Sequence, residues 1–172
     1  MTEPRRDLWS EWLLGRRFGG NADLLKATLE FLYPIREKIL LNADLSDDQT
    51  LLDVGCGDGL IGFGALEKSK ATRVLFTDIS QDLLDHAQVI ASKMSFLDRC
   101  AFLRTAAEDL SPIAGESVDV VTTRSALIYV SAKQQAFREF YRVLKANGRI
   151  SLFEPINIFG YPTTLTIGGD LT

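Results

Sequence analysis

Cysteine and histidine are scarce in this chain of 172 residues, which has two cysteines, Cys56 and Cys100, and one histidine, His86. The cysteines have no metal-ligand spacing, and so small a number suits a reducing compartment. We therefore expect a cytoplasmic protein without a metal site. His86 falls off the apolar face of its predicted helix, which favours a surface residue over a catalytic one.

Long apolar runs and basic runs are also absent. No stretch approaches the roughly 20 apolar residues of a membrane-spanning helix, and the residues after Met1 contain no apolar core of a signal peptide. The formal net charge is −4, so general nucleic-acid binding has no electrostatic support. We expect neither a membrane nor a nucleic acid as a partner.

What the chain does contain is an alternation of strand and helix patterns. Apolar residues make up 46% of the sequence and charged residues 24%, as in an ordinary globular domain. Short apolar runs alternate with helical spacing from residue 49 onward, which predicts an α/β fold with a parallel sheet and right-handed crossovers. The predicted strands are 50–54, 73–78, 101–105, 117–123 and 149–154.

The chain divides into a helical N-terminal extension, a core and an irregular tail, at 1–47, 48–156 and 157–172. An amphipathic helix is predicted over 8–18, and both a lid over the core and simple packing fit it. Asn21 is predicted to cap a second helix that Pro34 interrupts or restarts. In the core, Ser131 and Gln134 form a capping-box pattern, and Asn147-Gly148 is predicted to end the helix that follows.

The most informative segment follows the first strand. Asp53 closes an apolar run, and three glycines then alternate at Gly55, Gly57 and Gly59. Glycines here allow a tight turn and close approach of the backbone to a ligand, and the following helix N-terminus completes a nucleotide-type pocket. Asp78 closes the second strand, where a carboxylate can bind the two hydroxyls of a ribose. Its alternative role is a cap of the next helix.

The register of the glycines bears on which nucleotide is bound. Gly57, Gly59 and Gly62 match the dinucleotide fingerprint literally. However, the glycine that directly follows the strand is Gly55, and counting from it places Leu60 in the third glycine position. An acid at Asp53 suits an ammonium group better than a pyrophosphate. A nicotinamide-dependent oxidoreductase is therefore the lesser alternative.

Together these motifs resemble class I S-adenosylmethionine-dependent methyltransferases, in particular the ubiquinone/menaquinone-biosynthesis-like methyltransferase-domain group. The segments that carry the resemblance are Leu51–Gly59, Asp78–Ser80, Ala107–Leu110, Ser117–Val121 and Phe137–Glu154. The resemblance implies a three-layer Rossmann-like sheet with strand order 3-2-1-4-5. It also implies S-adenosyl-L-methionine as cofactor, S-adenosyl-L-homocysteine as product, and in-line methyl transfer to a small-molecule acceptor.

The resemblance further implies roles for individual residues. The methionine part of the cofactor would be lined by Asp53, Gly55, Cys56, Gly57 and Gly59. The nucleoside would be held by Asp78 at the ribose and by Ile79, Ala107 and Glu108 at the adenine. Ala106 occupies the position where the family usually has an acid. The floor beside the sulfonium would be formed by Arg124 and Ser125.

No general base is evident, and the family needs no invariant one. Tyr129 follows the fourth strand on the side where substrate should enter. It is the one candidate for orienting the substrate or facing the sulfonium, and an ordinary packed aromatic fits it equally well.

The end of the sequence departs from the family pattern. Strands six and seven of the family sheet have no counterpart, although Thr163–Ile167 could form one short strand. A fragment, a rearranged tail and a homodimer that covers the strand-five edge are the three explanations, and we favour a fragment. A non-catalytic or truncated cofactor-binding subunit is therefore the main alternative function.

Overall fold

The computed structural model describes Asp7 and residues 21–155. Four α-helices and five strands lie along these residues. The helices are α1 (Ala22–Ala43), α2 (Leu60–Lys68), α3 (Gln81–Lys93) and α4 (Lys133–Val143), and the strands are β1 (Thr50–Val54), β2 (Arg73–Asp78), β3 (Cys100–Arg104), β4 (Val118–Arg124) and β5 (Leu144–Phe153). The predicted helix at 8–18 and the strand at Thr163–Ile167 lie outside the described residues.

The five strands form one parallel sheet in the order β3-β2-β1-β4-β5, which confirms the predicted fold. Val54 pairs with Thr77 on one side and with Thr123 on the other. Asp78, Gly55 and Arg124 each follow one of these three residues, so they lie in one row at the carboxyl edge of the sheet. The chain reverses its direction of winding beside β1, which is where open α/β sheets bind ligands.

Apolar side chains from both faces of the sheet form the core. One cluster joins α1, α2 and α3 to one face through residues such as Leu40, Phe76 and Leu84. The other cluster joins α4 to the opposite face through Val121 and Phe140. Alternation of side chains along each strand makes this division possible, and the result is three layers with the sheet in the middle.

Helix α1 is continuous, although Pro34 was predicted to interrupt or restart it. Asn21 caps it as predicted, since its Oδ1 accepts hydrogen bonds from the amides of Asp23 and Leu24 at 2.9 and 3.0 Å. Pro34 has no amide hydrogen, so the carbonyl of Glu30 lacks its helical hydrogen bond. The helix is exposed at this point, and water can take the place of that donor. Neither this helix nor another in the described part of the chain is long and apolar enough to cross a membrane.

The predictions at both ends of α4 were wrong. Its N-cap is Ala132, without a side-chain hydrogen bond, so Ser131 and Gln134 form no capping box. The helix ends at Val143 because Leu144 already pairs with Val118 in the sheet. Asn147 has φ of 65° and lies within β5, beside the register shift between β4 and β5. Tertiary strand pairing therefore overrides the local helix-stop pattern.

Candidate functional site

A cavity of about 410 Å³ opens at the carboxyl edge of the sheet. Segments that follow all five strands contribute to its wall. They are Val54–Gly57, Asp78-Ile79, Thr105–Glu108, Arg124–Ala126 with Ile128–Val130, and Pro155, together with Leu83 from α3. Most of the predicted site residues therefore lie around one space. Asp53 and Gly59 are the two that do not line it.

The glycine turn brings backbone directly to the cavity wall. Gly55 and Gly57 have φ of 63° and 55°, in the left-handed region that favours glycine. A Cβ on Gly55 would lie 2.5 Å from the Cβ of Ala126, so a side chain there would displace the loop after β4. Gly59 instead forms the N-cap of α2 and does not line the cavity. Glycine at position 55 therefore allows the segments that follow β1 and β4 to pack closely against each other.

Asp78 connects the glycine turn to the segment that follows β2. Its side chain is 7% exposed, and its two oxygens accept hydrogen bonds from the amides of Gly57 at 2.9 Å and Ser80 at 3.0 Å. Burial raises the pKa of this carboxyl, although both hydrogen bonds oppose the rise. The cap of α3 is Ser80, whose Oγ accepts from the amide of Leu83, so Asp78 is not the helix cap.

Asp7, a described residue of the N-terminal extension, contacts the start of α3 close to this wall. The backbone amide of Asp7 donates to the carboxylate of Asp82 at 2.6 Å, and the carboxylate of Asp7 accepts from the hydroxyl of Ser80. Its negative charge also contributes to the raised pKa of Asp78. Asp7 therefore lies beside the start of α3, next to the carboxylate that faces the cavity.

Asp53 lies beneath the turn and not on the cavity wall, which corrects the expectation that it lines the methionine region. It is 2% exposed, and its carboxylate accepts hydrogen bonds from the Gly62 amide and the Thr122 hydroxyl, both at 3.1 Å. Burial raises its pKa to about 7. Its contacts join β1, α2 and β4, so its role in this structure is to hold together the elements that lie beneath the glycine turn.

Gly62 explains the literal match to the dinucleotide fingerprint. A Cβ on this residue would overlap the ring of Phe76, so glycine lets α2 pack closely against β2. Helix–strand packing is also what the third glycine of a dinucleotide-binding loop provides. The match therefore reflects packing that the two kinds of site share and does not distinguish between them.

The far end of the cavity is apolar. Ile79 is 50% exposed at the cavity wall, which Ala106 and Ala107 of the neighbouring segment after β3 also line. An exposed isoleucine beside small side chains offers a flat apolar surface that suits a ring, and Glu108 adds a polar group there. Cys56 is buried in the turn, where burial raises the pKa of its thiol, so it behaves as a small filler.

Glu154 is the residue that the sequence reasoning missed. Its carboxylate accepts hydrogen bonds from three consecutive amides, those of Ala126 and Leu127 at 3.1 Å and that of Ile128 at 3.3 Å. These amides open the short 3₁₀ turn Leu127–Tyr129. The signal was an acid at the end of β5, since the ends of parallel strands meet at the edge that carries the site. It holds the cavity wall that includes Tyr129.

The loop held by Glu154 has an unusual conformation. Ser125 has φ of 56° although it is not glycine, and its amide donates to the carbonyl of Phe153 at 2.9 Å. Such backbone strain is concentrated at ligand sites. Tyr129 is 58% exposed at the same wall, which leaves its ring accessible from the cavity mouth.

The comparison with protein families decides the classification. Residues 52–152 match the family model described as Methyltransferase domain. The chain belongs to the methyltransferase-domain family. The predicted family is therefore confirmed, and the matched residues include the segments after β1, β2, β3 and β4 that form the cavity.

Curated relatives of this methyltransferase domain include quinone-modifying enzymes. The chain is 33% identical over 130 residues to the chloroplastic 2-methyl-6-phytyl-1,4-hydroquinone methyltransferase of Arabidopsis thaliana, covering 75% of this chain and 36% of that protein. It is 30% identical over 142 residues to the ubiquinone/menaquinone biosynthesis C-methyltransferase UbiE of Sinorhizobium fredii, covering 82% and 55%. The chain thus spans about a third to a half of the length of these relatives.

Solved structures share the fold of the methyltransferase domain. The [4+2]-cyclase SpnF superposes with a TM-score of 0.67 at 26% identity, over 70% of this chain and 44% of that chain. The geranyl diphosphate C-methyltransferase of Streptomyces coelicolor A3(2), solved with S-adenosyl-L-homocysteine, gives a TM-score of 0.64 at 23% identity, over 69% and 42%. The second likeness supports the fold alone.

Proposed function

We propose that this methyltransferase domain binds S-adenosyl-L-methionine in the cavity and transfers its methyl group to a small-molecule acceptor. The observation that carries the proposal is the row of Asp78, Gly55 and Arg124 at the carboxyl edge of the sheet, within a family-matched core. In this row a buried carboxylate, a close backbone turn and a loop wall lie side by side, which supports a role for Asp78 at the ribose. Family membership supports the cofactor, since the match covers most of the cavity.

The residues present fit the cofactor along this row. Asp78 offers carboxylate oxygens to the ribose hydroxyls, and Ile79 with Ala106 and Ala107 accommodates the adenine. The backbone of Gly55 and Gly57 allows the amino-acid part to lie against the turn. Bound there, S-adenosyl-L-methionine would supply an electrophilic methyl group on its sulfonium.

The chain itself contributes orientation and exclusion of water. The loop held by Glu154 carries Ile128, Tyr129 and Val130 to the cavity mouth, where an acceptor would approach. Tyr129 is a candidate for orienting that acceptor through its ring face or its hydroxyl. We assign no general base, because the reaction needs one only for an acceptor of high pKa.

The identity of the acceptor is proposed only as a class. The curated relatives methylate different atoms, as the names of the quinone C-methyltransferases and of an erythromycin 3''-O-methyltransferase state. We therefore propose a small organic molecule as the acceptor. The free thiols of Cys56 and Cys100 suit the cytoplasmic location that we propose for the chain.

Calorimetric titration tests the proposal at the cofactor. We expect the full chain to bind S-adenosyl-L-methionine and S-adenosyl-L-homocysteine but not NAD. Asp78→Ala should weaken S-adenosyl-L-homocysteine binding by about tenfold or more, because hydrogen bonds to a charged group contribute about 1.5–3 kcal/mol each. Asp85→Ala is the matched control, since Asp85 is exposed on α3 outside the cavity. Binding of NAD without either sulfur nucleoside would contradict the proposal.

A second candidate function is cofactor binding without methyl transfer. The structural likeness to SpnF favours keeping it, because that relative is a [4+2]-cyclase on the same fold. Incubation with methyl-labelled S-adenosyl-L-methionine and a panel of phenol, hydroquinone, amine and thiol acceptors separates the two. Labelled product supports methyl transfer, whereas binding without any labelled product across the panel supports the second candidate.

A further inference from the structure

Arg124 is the one basic side chain among the described residues that line the cavity. The acidic residues on this wall are Asp78 and Glu108. Asp78 is already engaged by two backbone amides. Arg124 is partly buried at the end of β4. The charge and five N–H donors of a guanidinium need acceptors wherever burial removes water from them.

No carboxylate of the described residues pairs with this guanidinium. The described arginines that have partners reach carboxylates or carbonyls elsewhere, as Arg142 does with Glu139 and Arg149 with Asp44. Glu154, the nearest acid along the neighbouring strand, is occupied by the amides of the 3₁₀ turn and the Thr123 hydroxyl. Arg124 does attract the buried Asp53 through space, which opposes the rise in the pKa of that carboxyl. Among the described residues this attraction is not accompanied by an ion pair or hydrogen bond, so the N–H donors of Arg124 remain available to a ligand in the cavity.

The position of Arg124 defines which part of a ligand it can reach. Asp78 and Arg124 occupy the same row with β1 between them, so their backbones are about 10 Å apart at the usual strand spacing. Ribose recognition at Asp78 therefore leaves Arg124 beside the opposite end of the bound molecule, on the side of Tyr129 and Pro155. A planar guanidinium fits a carboxylate through two parallel hydrogen bonds.

We infer that Arg124 is the carboxylate-recognition residue of the cavity, an inference that rests on the proposed function. The carboxylate has two possible sources, the amino-acid end of the cofactor and an anionic acceptor bound next to it. Both sources present the same chemistry to the guanidinium. The inference goes beyond methyl transfer because it specifies charge selectivity at one end of the site.

Pairs of ligands that differ in one carboxylate test the inference on the full chain. The cofactor pair is S-adenosyl-L-homocysteine and its decarboxylated analogue. The acceptor pair is benzoate and benzamide, titrated into protein saturated with S-adenosyl-L-homocysteine. The variants are Arg124→Gln, which removes the charge, and Arg124→Lys, which keeps the charge but lacks the planar guanidinium that can donate two parallel hydrogen bonds. Arg138→Gln is the control, since Arg138 lies exposed on α4 with Gln135 as its partner.

The two sources give different results. If Arg124 binds the cofactor, Arg124→Gln weakens S-adenosyl-L-homocysteine about 10- to 100-fold and leaves the decarboxylated analogue unchanged. If it binds the acceptor, both nucleosides bind the variant as they bind the wild type, and a wild-type preference for benzoate over benzamide disappears. Arg124→Lys should restore part of the lost affinity in either case, and Arg138→Gln should match the wild type.

The inference and the proposed function can fail separately. Wild-type protein that binds neither nucleoside overturns both. The inference alone is overturned if the wild type binds both nucleosides and Arg124→Gln keeps the wild-type difference in affinity within both ligand pairs. Thermal unfolding of each variant without ligand checks that the change in affinity does not reflect loss of the fold.

Discussion

Asp53 shows how a single buried carboxyl couples the site to the stability of the fold. Its pKa is about 7 in the folded chain because burial disfavours the charged form, against an ordinary value of 3.8. The folded state therefore holds this proton more tightly than the unfolded state. The contribution to stability is complete below about pH 4 and is lost as the pH rises through about 7.

The folded chain should accordingly be more stable at pH 5 than at pH 8, by about 2–3 kcal/mol. Asp53→Asn should remove most of this difference. Its amide can accept from the Gly62 amide and donate to the Thr122 hydroxyl, which can then donate to the Leu52 carbonyl 3.4 Å away. Urea unfolding at pH 5, 6, 7 and 8 measures the slope.

A matched variant separates this effect from a general change in charge. Asp85→Asn removes an exposed carboxyl on α3 and should keep the wild-type slope. Asp78 also has a pKa raised by burial, so a slope of the same sign should remain in Asp53→Asn. Equal slopes in the wild type and Asp53→Asn would show that Asp53 is not the group responsible.

At the scale of elements, the 3₁₀ turn Leu127–Tyr129 depends on a strand that is distant in sequence. Glu154→Ala would leave the amides of Ala126, Leu127 and Ile128 without their acceptor. We expect a loss of about 1–3 kcal/mol of stability. We also expect these three amides to exchange hydrogen faster in Glu154→Ala than in the wild type, while exchange in the core of the sheet stays unchanged. Exchange mass spectrometry measures both.

The control for this turn is an acid without such partners. Glu30→Ala removes an exposed carboxylate of α1 whose ion pair with Lys26 spans 4.0 Å. Exposed pairs of this kind contribute little, so its exchange pattern should match the wild type. Unchanged exchange at the three amides in Glu154→Ala would contradict the assigned role.

Local and long-range contacts explain which elements could be predicted from the sequence. The strands and α2 follow from periodicity and the glycine turn, which are local signals. Asp53 could not be placed, because its partners Gly62 and Thr122 belong to α2 and β4 and meet only in the folded sheet. The helix stop predicted at Asn147-Gly148 failed for a similar reason, since α4 ends where Leu144 pairs with Val118 of β4.

At the scale of the molecule, the parallel order brings the ends of all five strands to the cavity but leaves β5 at one edge. Among the described residues, β5 pairs only with β4. Ser151 faces α1, where its hydroxyl donates to the carbonyl of Ile39 at 2.8 Å. Ile150 and Leu152 therefore face the opposite side, and they are 38% and 43% exposed. An edge with exposed apolar side chains favours pairing with another chain.

A homodimer in which a second copy covers this edge is one of the three sequence-based explanations, beside the fragment that we favour, and it stays a prediction. Leu152→Lys should weaken self-association about tenfold or more, because a lysine would have to lose water in the interface. Sedimentation velocity over a range of protein concentrations measures this change. Val89→Lys is the matched control, because Val89 is 51% exposed on α3, away from β5. A wild-type chain that stays monomeric at every concentration would contradict the dimer, and equal weakening by both lysines would place the interface elsewhere.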